Sequence, residues 1–269
     1  IGGSGEPILF LHGYPQTHIL WRKMAHLFAK NYTVICSDLR GYGDSDKPKS
    51  DKKHLTYSKK NMAFDQNELM HKLGYNKYYL VGHDRGARVA HRMAIDYQDK
   101  IKKLSLLDIV PTSHVFENTN ALLARRYYHW FFLIQSFPHP ETMIGKDSEY
   151  YLRSKLKMWG TNNDYLSEDV IKEYLRCFNS ETIHASCEDY RAGATIDLLH
   201  HKEDFEKKVK KELTIENMVE LGLVSKGSLV KVLGRGDLNS PINITAHKFS
   251  KSAEQSIEKV GGKVNLLKK

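Results

Sequence analysis

The stretch "KYYLVGHDRGARVAHRMA" (77–94) constrains the fold more than any other part of the sequence. An apolar run ends in glycine, an aspartate follows within "GHDRG", and a helical pattern begins at Gly86. A strand joined to a helix by so tight a turn is typical of a nucleophile elbow. Such a turn lifts one side chain above a sheet, beside a helix N-terminus that favours negative charge. The sequence therefore predicts that Asp84 is a carboxylate nucleophile.

A structural role for Asp84 stays open at this point. Aspartate is a common N-cap residue, and Arg88 stands one helical turn later as a salt-bridge partner, worth about 0.3–0.5 kcal/mol. A second loop favours the catalytic interpretation, because "LHGYP" (11–15) follows the first predicted strand. In an elbow fold this loop supplies a backbone N–H, here from Tyr14, that forms an oxyanion hole with the N–H of Arg85.

Strand and helix patterns alternate through the first 110 residues. Apolar runs predict strands at 7–13, 32–38, 77–83 and 102–110, and helical spacing predicts helices at 17–30, at 57–74 and from Gly86. This order predicts an α/β fold with a parallel sheet covered on both faces. From Pro111 the pattern becomes helical and aromatic, most clearly at 120–135 and 167–178. We interpret that part as a helical cap over the C-terminal edge of the sheet.

The composition changes near the lysine-rich run "FEKKVKKE" (205–212). Of the 28 aromatic residues (Phe, Trp and Tyr), Phe249 alone lies beyond Phe205. We therefore predict a partial α/β core at 1–110, a helical cap at 111–204, a junction at 205–211 and a C-terminal segment at 212–269.

Composition narrows the class of protein. A chain of 269 residues with 41% hydrophobic residues can bury a core, and no apolar run reaches the ~20 residues of a membrane span. Three cysteines without ligand spacing predict reduced thiols, a cytoplasmic location and no metal site. No cofactor is expected. A net charge of +9 leaves both nucleic acid and a small anionic substrate open as partners. The oligomeric state stays open, with a homodimer among the alternatives.

Residues 1–204 resemble the haloacetate (fluoroacetate) dehalogenases of the α/β-hydrolase superfamily. The resemblance is carried by "HGYPQTHILWR", "DLRGYGDSDKP", "GHDRGARVAHRMA", "LLDIVPT", "YYHWFFLIQ" and "CEDYRAGA". It implies an α/β-hydrolase sheet, incomplete at both ends, with a helical cap. Haloalkane dehalogenases and epoxide hydrolases share the elbow but not the arginine pair. An epoxide hydrolase-like enzyme remains an alternative.

The resemblance implies a role for each matching residue of the core. Asp84 displaces halide from the carbon next to the carboxylate of a haloacetate and becomes an ester. Arg85 and Arg88 bind that carboxylate, a task that suits planar guanidinium groups. Asp108 matches the acid that orients a catalytic histidine, although an acid at a strand end is also a common turn cap.

In the cap, His129, Trp130 and Tyr190 match the residues that donate hydrogen bonds to the departing halide. Taken singly, each has a structural alternative, because aromatic residues on cap helices usually serve as packing residues. Their joint occurrence with the elbow favours the halide-binding interpretation.

The C-terminal segment departs from the dehalogenase pattern, in which a histidine after the last strand activates the hydrolytic water. Residues 212–269 resemble instead the C-terminal part of bacterial large-subunit ribosomal protein fifteen, on "MVELGLVSKG", "VKVLGRGDL" and "AHKFSKSAEQSIEKVGGKV". Within it the sequence predicts a strand at 229–233, a helix near 250–260 and a strand at 263–267. His247 lies before that helix, and we do not expect it to replace the missing base.

Two interpretations follow from this departure. In the first, the chain is a dehalogenase-like enzyme that forms the aspartyl ester and hydrolyses it poorly. In the second, it is a non-catalytic fusion whose basic tail contacts rRNA phosphates, as the ribosomal resemblance implies.

Overall fold

The structure, a computed structural model, describes residues 1–159, 166–209, 213–220, 223–236, 238 and 241–267. The chain divides into two compact units, Ile1–Leu198 and Leu199–Lys269. The predicted junction at 205–211 extends beyond the described residues. The domain limits proposed from the sequence therefore stay predictions.

The first unit contains a four-stranded sheet in the order β2-β1-β3-β4, and every pairing in it is parallel. The strands are β1 (Glu6–Leu11), β2 (Tyr32–Ser37), β3 (Tyr78–His83) and β4 (Ile101–Leu107). Residues 8–11 of β1 are all buried, as expected for a central parallel strand with an apolar sequence. The α/β class and the parallel sheet predicted from the sequence are confirmed. The strands predicted at 7–13 and 102–110 end two and three residues earlier than expected.

Three helices connect these strands: α1 (Arg22–Phe28), α2 (Lys59–Lys72) and α3 (Arg85–Asp96). The hydroxyl of Ser58 caps α2 by accepting a hydrogen bond from Asn61 N at 3.3 Å. The helix predicted at 17–30 begins as a 3-10 turn, His18–Trp21, and becomes α-helical only at Arg22. Apolar residues of α2 and α3 pack with β1 and β3 in the main hydrophobic core.

Strand β4 forms an edge of the sheet. Among the strands that the structure describes it pairs with β3 alone, and Leu104, Leu106 and Leu107 are 37–41% exposed. The prediction of a sheet covered on both faces is therefore wrong at this strand. Its apolar sequence suggested a buried strand, whereas burial depends on neighbours that a local pattern does not specify.

A series of short helices follows β4, in the part of the chain interpreted from the sequence as a cap. They are α4 (Thr112–Glu117), α5 (Ala121–Arg126), α6 (Tyr128–Leu133), α7 (His139–Gly145), α8 (Ser148–Trp159), α9 (Glu168–Cys177), α10 (Ser180–Ala194) and α11 (Ile196–Val209). The helical pattern at 120–135 corresponds to two short helices, α5 and α6, because the chain breaks at Tyr127, where φ is −107° and ψ is 28°. The helix predicted at 167–178 corresponds to α9. Among the helices that the structure describes, none has the length and apolar run needed to cross a membrane.

The second unit contains α12 (Ile215–Glu220), β5 (Lys231–Val232), β6 (Asn243–Ala246), β7 (Lys248–Phe249), α13 (Lys251–Lys259) and β8 (Lys263–Leu266). Strand β6 pairs in parallel with β8, and β5 pairs in parallel with β7. Met218, Ile244, Phe249 and Ile257 form its buried core. The helix near 250–260 and the strand at 263–267 match α13 and β8. The strand at 229–233 is reduced to two residues, and β6 was not predicted.

Candidate active site

Asp84 stands between β3 and α3 in a strained backbone conformation, with φ 48° and ψ −116°. A Cβ on Gly82 would lie 2.6 Å from Ala87 Cα, and one on Gly86 would lie 2.3 Å from His12 O. Glycine is therefore required on both sides, because the strand and the helix approach too closely for any side chain. The turn has the geometry of a nucleophile elbow.

The Asp84 carboxylate does not cap α3, so the structural alternative from the sequence is wrong in its main point. Instead, Tyr14 N donates a hydrogen bond of 2.9 Å to Asp84 Oδ2. Tyr14 belongs to the loop after β1, and Arg85 is the first residue of α3. The structure thus places both predicted oxyanion-hole residues next to Asp84.

Arg85 is buried and held by Asp189 of α10. Its Nε donates to Asp189 Oδ2 at 2.8 Å, and its Nη2 donates to Oδ1 at 2.6 Å and to the Asp189 carbonyl at 2.8 Å. Burial lowers the pKa of Arg85, but the Asp189 charge outweighs it and raises the pKa above its usual range. Arg85 is therefore largely neutralised by a residue for which the sequence assigned no role.

Arg88, one turn further along α3, is 5% exposed, and no ion pair joins it to a carboxylate in the described part of the chain. Its Nη1 donates to Val110 O and to Thr112 Oγ1, both at 2.9 Å. Its Nε is buried and makes no hydrogen bond to any residue that the structure describes. Burial, and then the charge of Arg85, lower the pKa of Arg88 to about 10 despite the charge of Asp84. A buried cation of this kind is stabilised by a bound anion.

The three predicted halide-binding residues are buried and lie together. The Tyr190 ring centroid is 5.8 Å from His129 and 5.7 Å from Trp130. The guanidinium carbon of Arg85 lies 4.2 Å above the Tyr190 ring, and that of Arg88 lies 4.5 Å above the Trp130 ring. These aromatic rings therefore adjoin both arginines at the elbow.

Two of these groups have the protonation state that a hydrogen-bond donor needs. Burial, followed by the Asp84 charge, raises the pKa of Tyr190 well above its usual value, so its hydroxyl keeps the proton. That hydroxyl is buried without a hydrogen-bond partner in the described part of the chain. Burial lowers the pKa of His129 to about 3, so its ring is neutral at pH 7.

Asp108 directly follows Leu107, whose carbonyl accepts a hydrogen bond of 3.1 Å from Asp84 N. It follows β4 with a φ of 58°, and its side chain is 80% exposed. Its Oδ2 lies 4.0 Å from Nε2 of His83, too far for a hydrogen bond. In the second unit, His247 Nδ1 accepts a hydrogen bond of 3.0 Å from Val230 N. Within the first unit, His83 is therefore not held by Asp108 as an oriented base would be.

The sequence analysis missed Asp189 and Lys59 as parts of this site. Asp189 is fully buried and contacts Arg85, Lys59 and Tyr42, which are 104 to 147 positions away in the chain. Asp189 lies within the quoted motif "CEDYRAGA", but contacts of such long range leave no local signal.

Comparison with known proteins assigns the class. The sequence profile of the α/β hydrolase fold matches residues 6–178, and the chain belongs to this family. The profile that describes ribosomal proteins 50S-L15, 50S-L18e and 60S-L27A matches residues 194–265.

Among individual relatives, the chain is 47% identical over 199 residues to a fluoroacetate dehalogenase from Burkholderia sp., covering 73% of this chain and 66% of that protein. It is 36% identical over 202 residues to a soluble epoxide hydrolase from Corynebacterium sp. strain C12, covering 72% of this chain and 68% of that protein. The chain thus spans about two thirds of the length of these relatives.

Solved structures agree on the fold. A protein from Nostoc sp. PCC 7120 classed as an α/β hydrolase superposes with a TM-score of 0.75 at 42% identity, covering 98% of this chain and 84% of that one. The epoxide hydrolase CorEH superposes with a TM-score of 0.62 at 27% identity, covering 99% of this chain and 84% of that one. An α/β hydrolase and an epoxide hydrolase of known structure therefore share this architecture.

Proposed function

We propose that the chain is a haloacetate dehalogenase-type hydrolase that uses Asp84 to displace halide from a 2-haloacid. The observation that carries this proposal is Arg88, a buried guanidinium beside the elbow with an unpartnered Nε and a lowered pKa. A substrate carboxylate supplies the missing negative charge and accepts from that Nε. The carbon next to the carboxylate then lies close to Asp84.

The chemical step is a displacement at that carbon. A carboxylate oxygen of Asp84 forms the new C–O bond as the carbon–halogen bond breaks, and the halogen leaves as halide with the bonding electron pair. Tyr190 Oη and the indole and imidazole N–H groups of Trp130 and His129 donate hydrogen bonds to the leaving halide. No proton is transferred in this step, and the product is an ester of Asp84.

Hydrolysis of the ester requires water to attack Asp84 Cγ. The backbone N–H of Tyr14, together with that of Arg85, stabilises the oxyanion that then develops on Asp84. The water also needs a base. Because Asp108 is exposed and no histidine described in the first unit lies within hydrogen-bond distance of it, we propose that this chain releases the ester slowly.

An epoxide is the alternative substrate that the relatives suggest. An epoxide is neutral, so it would add no negative charge beside Arg88, whose pKa stays lowered even with the charge of Asp84 nearby. The arginine therefore favours an anionic substrate over an epoxide.

The test follows halide release and intact mass when the chain is incubated with fluoroacetate or chloroacetate, with styrene oxide in a parallel sample. We expect about one halide per chain, together with a carboxymethyl adduct that peptide mapping assigns to Asp84. An adduct from the epoxide but not from the haloacetates would reverse the assignment. Sustained halide release would disprove slow hydrolysis.

For the second unit we propose contact with rRNA, supported by the ribosomal match to residues 194–265. Exposed cations on this unit suit phosphate contacts: Lys226, Lys231, Lys248, Lys251 and Lys263. Binding of an rRNA fragment that weakens steeply with salt, and that is lost when these lysines are changed to glutamine, is the expected result. Equal binding by the glutamine variant would contradict the proposal.

A further inference from the structure

A cluster of buried charged side chains surrounds the guanidinium of Arg85. Its other members, Asp189 and Lys59, are distant from Asp84 in the sequence and have no role in the reaction described above. At its centre is Asp189, which is fully buried. Its carboxylate accepts from Arg85 Nε and Nη2, from Lys59 Nζ and from Tyr42 Oη, the last at 2.8 Å. Burial raises the pKa of Asp189, but Arg85 and Lys59 outweigh it and hold the pKa below its usual range. Asp189 is therefore a carboxylate.

Lys59 is the second cation of the cluster and is 5% exposed. Its Nζ contacts Asp189 and lies 3.9 Å from Asp197 Oδ2, and its backbone N donates to Asp197 Oδ1 at 2.9 Å. Arg85 and Lys59 are thus matched in number by Asp189 and Asp197. The cluster is balanced without any ligand.

Arg88 is not part of this set of paired charges. Its guanidinium packs on Trp130 and bonds to neutral groups, Val110 O and Thr112 Oγ1. The two arginines of the elbow therefore differ: the charge of one is cancelled inside the protein, and the charge of the other is left for a ligand.

We propose that Asp189, itself held by Lys59, is a positioning residue that cancels the charge of Arg85 and fixes its guanidinium, so that the site takes a substrate with a single carboxylate. This inference rests on the proposed function, because it identifies the charge that the substrate must carry. It also predicts how the site responds when the balance is disturbed.

Replacing Asp189 by asparagine keeps the shape of the side chain and removes its charge. The site then carries one excess buried positive charge, and a bound anion relieves it. Anions therefore bind more tightly. The same excess charge lies close to the Asp84 carboxylate and lowers its nucleophilicity, so the ester forms more slowly. Loss of structure alone would weaken binding and slow the reaction together.

The experiment measures carboxymethylation of Asp84 by chloroacetate over a range of concentrations. For Asp189→Asn we expect the half-saturating concentration to fall about fivefold and the limiting rate to fall about tenfold. Asp197→Asn is the matched control, because it also leaves one excess buried positive charge but leaves it at Lys59, whereas Asp189 remains on Arg85. Its half-saturating concentration should change less than about twofold. An unchanged or raised value for Asp189→Asn, or equal changes in both variants, would overturn the proposal.

A second variant covers failure of Asp189→Asn to fold. The double variant Asp189→Asn/Lys59→Met removes one charge of each sign and restores the balance, so its half-saturating concentration should return to within about twofold of the parent. A value shifted as far as expected for the single variant would contradict the inference.

Acetate separates this inference from the proposed function, because it carries the carboxylate without a leaving group. If the parent chain forms no adduct with any haloacetate, the proposed function fails. The rise of the melting temperature with acetate still tests Asp189, and it should be larger in Asp189→Asn than in the parent. An equal or smaller rise would overturn the inference alone.

Discussion

The backbone N–H of Tyr14 donates a hydrogen bond of 2.9 Å to Oδ2 of Asp84, across 70 positions of sequence. This bond joins the loop after β1 to the turn after β3, and the close approach of Gly13 makes it feasible. A Cβ on Gly13 would lie 2.7 Å from Asp84 Cβ. One carboxylate oxygen is thus held by the loop, which orients the other oxygen as the attacking atom.

The first prediction concerns Asp84 itself. Asp84→Asn replaces the carboxylate by an amide of the same shape, which is a far weaker nucleophile. Adduct formation from chloroacetate should therefore fall by about 1,000-fold or more, while acetate still raises the melting temperature. Intact mass and thermal unfolding measure the two effects. Asp108→Asn serves as the comparison and should leave adduct formation unchanged, because its side chain is 80% exposed and its ionisable partner in the described part of the chain is His83, at 4.0 Å, and not Asp84. Adduct formation at the parent rate in Asp84→Asn would exclude Asp84 as the nucleophile.

The second prediction concerns the stability of the elbow. Gly86→Ala places a Cβ 2.3 Å from His12 O and 2.5 Å from Leu11 O, and neither backbone atom can move without disturbing β1. We expect the free energy of unfolding to fall by about 1–3 kcal/mol. Urea unfolding followed by circular dichroism measures it.

Gly145→Ala is the control for that substitution. Gly145 ends α7, and a Cβ there meets nothing within 4 Å. The free energy of unfolding should change by no more than about 0.5 kcal/mol. Equal losses in the two variants would show that the close packing at Gly86 has no energetic consequence.

Much of this arrangement was predictable, because it depends on local patterns. "GHDRG" after an apolar run indicates the turn. Apolar runs that alternate with helical patterns indicate a parallel sheet. The break at Tyr127 and the exposure of β4 were not predictable. Apolar spacing is the same for one helix as for two short ones, and an edge strand carries the same residues as a central one.

The sequence prediction and the structure also differ in how the charges of Arg85 and Arg88 are paired. The sequence predicted that Arg85 and Arg88 act alike, because both follow the aspartate on one helix. In the structure Asp189 neutralises the charge of Arg85 and does not neutralise that of Arg88. Asp189 lies on α10, 104 positions after Arg85. Sequence spacing does not indicate which later helix will pack against α3.

The third prediction concerns pH. His129 has a pKa of about 3 in the folded protein, below its usual 6.5, so it stays neutral above pH 4. Arg88 has a pKa of about 10 and stays charged below pH 9. The rate of Asp84 carboxymethylation should therefore be flat between pH 6 and 9, and should fall as Arg88 loses its proton above pH 10. Intact-mass measurements on samples quenched at timed intervals, in buffers of equal ionic strength, give this rate at each pH. An inflection near pH 6.5 would mean that His129 titrates as an exposed histidine.

The same lowered pKa makes a prediction about stability. Unfolded chains bind a proton on His129 below about pH 6.5, whereas the folded protein binds one only near pH 3. The contribution of neutral, buried His129 to the free energy of unfolding is therefore present in full above pH 6.5 and is lost as the pH falls from 6.5 towards 3. His129→Gln should reduce the loss of unfolding free energy between pH 7 and pH 5. Urea titrations at both pH values measure that loss. A loss identical to that of the parent would mean that other groups cause the acid sensitivity.

The last prediction separates leaving-group assistance from packing at Tyr190. Fluoride leaves poorly and accepts strong hydrogen bonds, so it depends on the Tyr190 hydroxyl more than chloride does. Tyr190→Phe should lower adduct formation from fluoroacetate by about 30-fold and from chloroacetate by about threefold. Tyr78→Phe is the matched control, since Tyr78 Oη is also buried without a hydrogen-bond partner in the described chain, but at the opposite end of β3. It should change both rates equally. Equal losses for the two haloacetates in Tyr190→Phe would assign Tyr190 to packing and remove it from the halide site.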